Sequence, residues 1–303
     1  MKSDRLVSVA LCAYNGEKYL SQQLDSILRQ THKNLELVIV DDCSKDNTFE
    51  IIKDCGKKDA RIRCFKNETI KGFNKNFEYA ISLTTGGYIA ISDQDDIWLP
   101  NKLEKLLSNI KNNWLIFSNS SYINKANEPV KGKILETFKL KTSNFKNILL
   151  ANFVTGHTAL FDRASLKYLL PFPKTGFYDW WIGFVCLCHK KIAFLDEVLT
   201  KYCIHDVSVT QQLLNLEKAK QTVNETIENM LSSFATYKEL AYCDKVFIEE
   251  LKNAYILNLS SNKPIPLIKI IFKHYTELFP NGKKRNLFSL LNFALKYARK
   301  VKK

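Results

Sequence analysis

Four short strand-like runs, each followed by a helical pattern, fill the first 110 residues and leave few folds open. "RLVSVALCAY" (5–14) is a continuous apolar run, as a strand buried on both faces requires. "EKYLSQQLDSILRQ" (17–30) repeats Leu20, Leu24, Ile27 and Leu28 at helical spacing. "LELVIV" (35–40), "RIRCFKNE" (61–68) and "YIAIS" (88–92) read as three further strands. Between them lie "TFEIIKDCGKK", which Asp46 or Asn47 can cap, and "FNKNFEYAISLTTGG" (73–87), a helix closed by its glycines. "NKLEKLLSNI" follows the fourth strand, with Pro100 before its start. The βαβαβαβ order predicts an α/β fold, a mostly parallel sheet flanked by helices. In such sheets ligands bind beyond the carboxyl ends of the strands. Tyr14, Asn15, Asp41, Asp42, Asp93 and Asp95 occupy those ends.

The remainder is mixed and then helical. "WLIFSNSSYI" and "TGHTALFDR" read as strands, "DWWIGFVCLCHKK" as a helix, and "IAFLDEVLTKYCIH" as strand, turn and strand. From about Ser208 the pattern is helical, with Pro264 and Pro266 breaking it. Net charge is +14, and it is uneven: residues 263–303 hold eleven Lys or Arg against Glu277 alone, +10, leaving 14 − 10 = +4 for the rest. The final stretch, "GKKRNLFSLLNFALKYARKVKK", spaces Leu287, Leu291, Ala294 and Ala298 along a helix, with Phe288 and Leu295 beside them. It reads either as a terminal helix packed on the body or as an interfacial helix on an anionic membrane surface. A nucleic-acid partner is not expected, because no nucleic-acid motif accompanies the charge. Eight cysteines without a C-x-x-C pair argue for reduced thiols rather than zinc. The start lacks the features of a signal peptide and no apolar run nears a membrane span, so a cytoplasmic location is expected.

The fourth strand runs into "DQDD". Carboxylates at a strand end, Asp93 and Asp95, make a hard-oxygen site suited to Mg²⁺ or Mn²⁺, which keep positions for phosphate oxygens. The competing reading is a solvated acidic loop, and Asp96 reads as a helix N-terminal charge.

"VSVALCAYNGEKYLSQQLDSILRQT", "ELVIVDDCSKDNT" and "GGYIAISDQDDIWLPNKL", in that order, resemble a family 2 glycosyltransferase of the GT-A fold over roughly residues 6–210. "DQDDIW" with the following "P" and "KL" is similar to bacterial rhamnosyltransferases and their relatives in O-antigen and capsule assembly. The resemblance implies an inverting, metal-dependent transferase. It would move a sugar from dTDP-L-rhamnose or a UDP-hexose to a hydroxyl of a growing, lipid-linked surface glycan, peripherally at the inner membrane face. It implies a catalytic domain over residues 1–207, with a nucleotide-binding half (1–110) and an acceptor-binding half (111–207), and a helical region over 208–303. It places Ala13, Tyr14 and Asn15 on a wall of the nucleotide pocket, Asp42 on a pyrimidine imide, and Lys71 and Gly72 near the base. Asp93 falls near ribose and metal, with Asp95 and His205 as metal ligands. Asp179, in "GFYDWWIGF", becomes the general base, or the cap of the helix it begins, or both. His157, Trp180 and Trp181 fall on the acceptor side, the indoles as surfaces for stacking on a sugar. Tyr178 replaces the family's frequent Glu or His, and Cys203 its frequent Arg. The rival readings are a nucleotidyltransferase, although "AYNGEKY" lacks the glycine- and basic-rich loop such enzymes carry after strand 1, and a basic nucleic-acid-binding protein, suggested by the charge alone.

Overall fold

The structure is a computed structural model and describes residues 5–204, 218–261 and 263–302. The chain divides into two compact units, one of Met1–Glu136, Val154–Phe172 and Lys191–His205, the other of Thr137–Phe153, Pro173–Lys190 and Asp206–Lys303.

In the first unit β1 (Val7–Ala13), α1 (Leu20–Leu28), β2 (Leu35–Asp41), α2 (Thr48–Lys58), β3 (Ile62–Lys66), α3 (Phe73–Ser82) and β4 (Tyr88–Ser92) follow the expected alternation. Then come β5 (Ile97–Trp98), α4 (Lys102–Asn109), β6 (Leu115–Ile123), β7 (Pro129–Lys133), β8 (Ala159–Asp162), α5 (Leu166–Leu169) and β9 (Ile192–Cys203). All strands join one sheet in the order β3-β2-β1-β4-β8-β6-β9-β5, with β7 beside β6. β3, β2, β1 and β4 are parallel. β8 enters antiparallel between β4 and β6. Chain order reverses on either side of β1, which opens a crevice at the carboxyl ends there. Val7, Val9 and Leu11 face the layer of α1, α2 and α4. α3 covers β1 and β2 from the other side, where Phe77, Ala80 and Ile81 are buried.

Four local expectations change. α3 ends at Leu83, whose N–H meets the Tyr79 and Ala80 carbonyls, and its glycines are not its cap. Gly86 instead lies so close to β1 that a Cβ would stand 2.7 Å from the Leu6 carbonyl oxygen. "TGHTALFDR" opens with a 3₁₀ turn, Gly156–Thr158, before β8. Residues 192–203 form one strand, not two. The apparent turn at Asp196 is an irregularity in the β6–β9 register, where Asp196 accepts hydrogen bonds from Asn119 (3.0 Å) and Lys133 (2.8 Å). Finally, Asp96 is not the charge of a helix start: it is 1% exposed, and α4 begins six residues later.

The second unit consists of a 3₁₀ turn (Phe145–Ile148) and α6 (Tyr178–Cys188), α7 (Lys218–Ala235), α8 (Tyr242–Ser261), α9 (Ile265–Leu278) and α10 (Leu287–Lys302). Phe184 and Phe234 stack at 4.1 Å in its core. The apolar stripe expected along α10 divides. Ala294, Ala298 and Val301 are buried, whereas Leu287 (74%), Phe288 (86%) and Leu291 (43%) lie open to solvent. No helix among the described residues is long and apolar enough to cross a membrane.

Candidate active site

The carboxyl ends of β1, β2 and β4 are laced together by side chains. Gln94, the residue between the two aspartates of the "DQD" motif, brackets Tyr14. Its Oε1 accepts the Tyr14 N–H (2.8 Å) and its Nε2 donates to the Tyr14 carbonyl (3.0 Å). Asn15 takes a left-handed φ of 48° and accepts the Lys45 N–H on Oδ1. Its own N–H reaches Ser44 Oγ at 2.9 Å. Gly16 lies directly beneath Gln94, and a Cβ there would stand 2.2 Å from Oε1, so a side chain at this position would displace the Gln94 amide from Tyr14. Asp46 caps α2 by accepting the Thr48 N–H at 3.0 Å. Ala13 is buried in β1 while Tyr14 is 43% exposed, so only the latter offers a face to a ligand. Gln94→Ala would cut both bonds to Tyr14. The expected result is a loss of about 1–2 kcal/mol in unfolding free energy, read by denaturant titration, together with weaker nucleotide binding.

Asp42 is committed to the loop after β3. Oδ1 accepts Asn67 Nδ2 (2.7 Å) and the Lys71 N–H (2.8 Å), and Oδ2 accepts the Gly72 N–H (2.9 Å). Gly72 makes this possible with φ +76°. Lys71 Nζ lies 4.1 Å above the Tyr79 ring. Asp42, Lys71 and Gly72 are thus brought together by the fold, by a hydrogen-bond pattern that the sequence does not display.

The main cluster lies beyond β4. One ligand atom each from Asp93, Asp96 and His157 falls within 4.8 Å of the others. His157 Nδ1 is 3.8 Å from an Asp96 oxygen and 4.0 Å from one of Asp93. Asp95 lies outside this group of three. Its charge nevertheless reaches Asp96, whose carboxyl is pushed up first by burial and then by Asp95 and Asp93. Asp96 Oδ1 accepts the Cys203 N–H at 3.3 Å, and Oδ2 is buried without a hydrogen-bond partner. Lys102 is buried under the same site. It donates to the His157 carbonyl and sits 3.5 Å above the Trp98 ring. Burial pushes its ammonium well down, opposed by Asp96 and Asp93. His157 is held to about 3 by burial and by Lys102, so it is neutral at ordinary pH. With Nε2 against Ser120 Oγ (3.1 Å), its Nδ1 points toward the carboxylates.

This donor set fits a divalent cation. Two carboxylates and a neutral imidazole converge, and an orphaned carboxylate oxygen is costly unless protonated or bound to a cation. His157, expected on the acceptor side, is 4% exposed, stacks on Tyr202 at 5.0 Å and faces the two carboxylates. The sequence assigns Asp96 a structural role only and gives Lys102 none. Lys102 carried a signal, because it lies four residues before Leu106 on the apolar stripe of α4. His205 lies outside the described residues.

Asp179 belongs to the second unit, in the first turn of α6. Its Oδ1 accepts Asn152 Nδ2 (3.1 Å) and the Trp180 N–H (2.7 Å), which anchor that oxygen. Trp180 and Trp181 are both 6% exposed. Trp180 Nε1 donates to the Ile148 carbonyl and Trp181 stacks on Phe234, so these indoles are core rather than the sugar-stacking walls expected.

A sheet of this order, with an acidic cluster at the end of β4, is the GT-A architecture. The same fold occurs in TarS of S. aureus (residues 1–349, in complex with UDP-GlcNAc), at TM-score 0.61 and 15% identity over 98% of this chain and 89% of that one. It occurs too in the mannosyltransferase PcManGT of Pyrobaculum calidifontis, solved with GDP-Man and Mn²⁺, at TM-score 0.55 and 16% identity over 97% and 80%. Residues 8–170 match the Glycosyl transferase family 2 profile. A glycosyltransferase of Methanocaldococcus jannaschii is 35% identical over 91% of this chain and 97% of its own. WfgD of Escherichia coli, a UDP-Glc:alpha-D-GlcNAc-diphosphoundecaprenol beta-1,3-glucosyltransferase, is 30% identical over 76% and 89%. The chain belongs to glycosyltransferase family 2 and is a transferase enzyme.

Proposed function

We propose that this enzyme transfers a hexose from a UDP-hexose, with inversion, to a hydroxyl of a lipid-linked surface glycan; dTDP-L-rhamnose is the other donor to test. The observation that carries the reading is the convergence of Asp93, Asp96 and His157 beyond β4, with one buried carboxylate oxygen orphaned. UDP-hexose is favoured because two similar E. coli enzymes, WfgD and WfaP, are named for UDP-Glc and a diphosphoundecaprenol acceptor.

The residues then divide the work. Tyr14 and Asn15 form one wall for the nucleotide. Asp42 Oδ2 holds a single N–H and keeps capacity to accept a pyrimidine imide. Lys71 and Gly72 close over the base. Asp93, Asp95, Asp96 and His157 hold Mn²⁺ or Mg²⁺; the imidazole favours Mn²⁺, since Mg²⁺ prefers an all-oxygen shell. Such an ion, when bound, offsets the charge on the diphosphate. Asp179 takes the proton of the acceptor hydroxyl. The acceptor oxygen forms the new bond to the anomeric carbon as the bond to the diphosphate oxygen breaks, and the nucleoside diphosphate carries away the electron pair. The C-terminal helix attaches the enzyme to an anionic membrane surface, where a lipid-linked acceptor resides.

A thermal-shift series with Mn²⁺ tests the donor. At a hundredfold excess over Kd the true donor stabilises by roughly 2.7 kcal/mol, so it should raise the midpoint more than other nucleotide sugars. Equal shifts for UDP-glucose, GDP-mannose and ATP would reject the donor assignment.

A further inference from the structure

Between α9 and α10 the second unit has a hollow of about 510 Å³ that is open to solvent. Five cations line it, Lys141, Lys273, Lys283, Lys284 and Arg285, and no carboxylate does. Among the described residues none of the five forms an ion pair. Glu277, the lone acid after residue 263, is already held by His274 (2.6 Å) and Lys146 (3.0 Å). Five like charges around a concave space repel one another and concentrate anions there.

The site is built rather than merely charged. Arg285 Nε donates to Tyr275 Oη (3.0 Å), one terminal nitrogen donates to Ser289 Oγ (3.1 Å), and the guanidinium lies 4.6 Å from the Phe293 ring centre. Tyr275 Oη in turn donates to the Lys283 carbonyl, tying the loop that carries three of the cations. A fork held in this way suits a phosphate, which it can meet with little loss of side-chain freedom. Immediately after Arg285, α10 exposes Leu287, Phe288 and Leu291. Exposed apolar side chains beside a cationic cavity match a ligand that has a phosphate and a hydrocarbon next to it.

We infer that this cavity seats the phosphate headgroup of an anionic membrane lipid while Leu287, Phe288 and Leu291 enter the acyl boundary. The inference rests on the proposed attachment of the C-terminal helix to a membrane surface and names its ligand and pocket. A soluble phosphate compound would account for the cations but not for the exposed Phe288.

The test is flotation of the full-length protein with vesicles of pure phosphatidylcholine and of phosphatidylcholine mixed equally with phosphatidylglycerol. Binding is expected only to the mixed vesicles. Lys273→Glu with Lys284→Glu, both at exposed positions, should weaken it by at least about tenfold. Leu287→Ser with Phe288→Ser should weaken it comparably, while Lys296→Glu with Lys300→Glu, on the same helix but outside the cavity, should do clearly less. Equal losses for the two charge reversals would overturn the pocket and leave only diffuse attraction of the helix to the surface. No binding to either vesicle would overturn pocket and attachment together. Stabilisation by inorganic phosphate that depends on Lys273 and Lys284, with the Leu287/Phe288 variant floating like wild type, would overturn the lipid in favour of a soluble anion. Transfer to a soluble acceptor, retained by every variant, separates these outcomes from failure of the catalytic reading.

Discussion

Asp179→Asn is expected to lower turnover by about 10²-fold or more while leaving donor affinity nearly unchanged. The substitution is nearly isosteric, and asparagine keeps an oxygen that can accept the Asn152 amide (3.1 Å) and the Trp180 N–H (2.7 Å). The local frame of α6 should therefore survive, and a circular-dichroism melt should match the wild type. What the amide cannot do is take the acceptor's proton. A kinetic split makes the case: KM for the donor constant, kcat reduced, and nucleoside diphosphate release in the absence of acceptor unaffected. Retained turnover with a raised donor KM would mean that Asp179 binds the donor and that the base lies elsewhere. Asn152→Ala provides a graded companion. It frees the carboxylate without removing it, so a smaller fall in kcat is expected.

The first half of the fold was legible because three of its four strands, β1, β2 and β4, are buried on both faces. A run such as Leu35–Asp41 has no polar alternation that a helix or an edge strand could exploit, and Thr48–Lys58 begins where the capping residues say it should. β9 was not legible, because Asp196 and Glu197 look like a turn when nothing indicates the neighbours that absorb them. Asn119 and Lys133 bond Asp196, and Lys105 pairs with Glu197. The site divides in the same way. Residues at strand ends, Tyr14, Asn15, Asp42 and Asp93, follow from topology alone. The cluster of Asp96, Lys102 and His157 does not, because two chain segments far apart in sequence, 96–102 and the turn at His157, meet only through the pairing of β4 with β8. Gln94 stayed hidden for another reason: its role is toward the backbone of Tyr14, and backbone partners leave no trace in residue type.

Asp93→Ala should lower turnover by at least about a thousandfold, the equivalent of roughly 4 kcal/mol of lost charge stabilisation at the departing diphosphate. Asp93 is the member of the cluster to replace first. Its side chain is 39% exposed, so removing it opens no core cavity, whereas the Asp96 side chain is fully buried and its removal would unbalance Lys102 beneath. Asp95→Ala is expected to act in the same direction, since Asp95 is proposed as a ligand although it lies outside the tightest group. Activity alone would not identify a cation, so the decisive reading is binding. Calorimetric titration of wild-type protein with Mn²⁺ should give heat that Asp93→Ala abolishes, and donor affinity should rise with Mn²⁺ only in the wild type. EDTA should reduce wild-type turnover to the level of the variant, and added Mn²⁺ should restore it. If wild-type enzyme works equally well in EDTA, the orphaned Asp96 oxygen must be satisfied by a proton. That outcome has its own physical logic, since burial and the neighbouring Asp95 and Asp93 already push this carboxyl toward the protonated form.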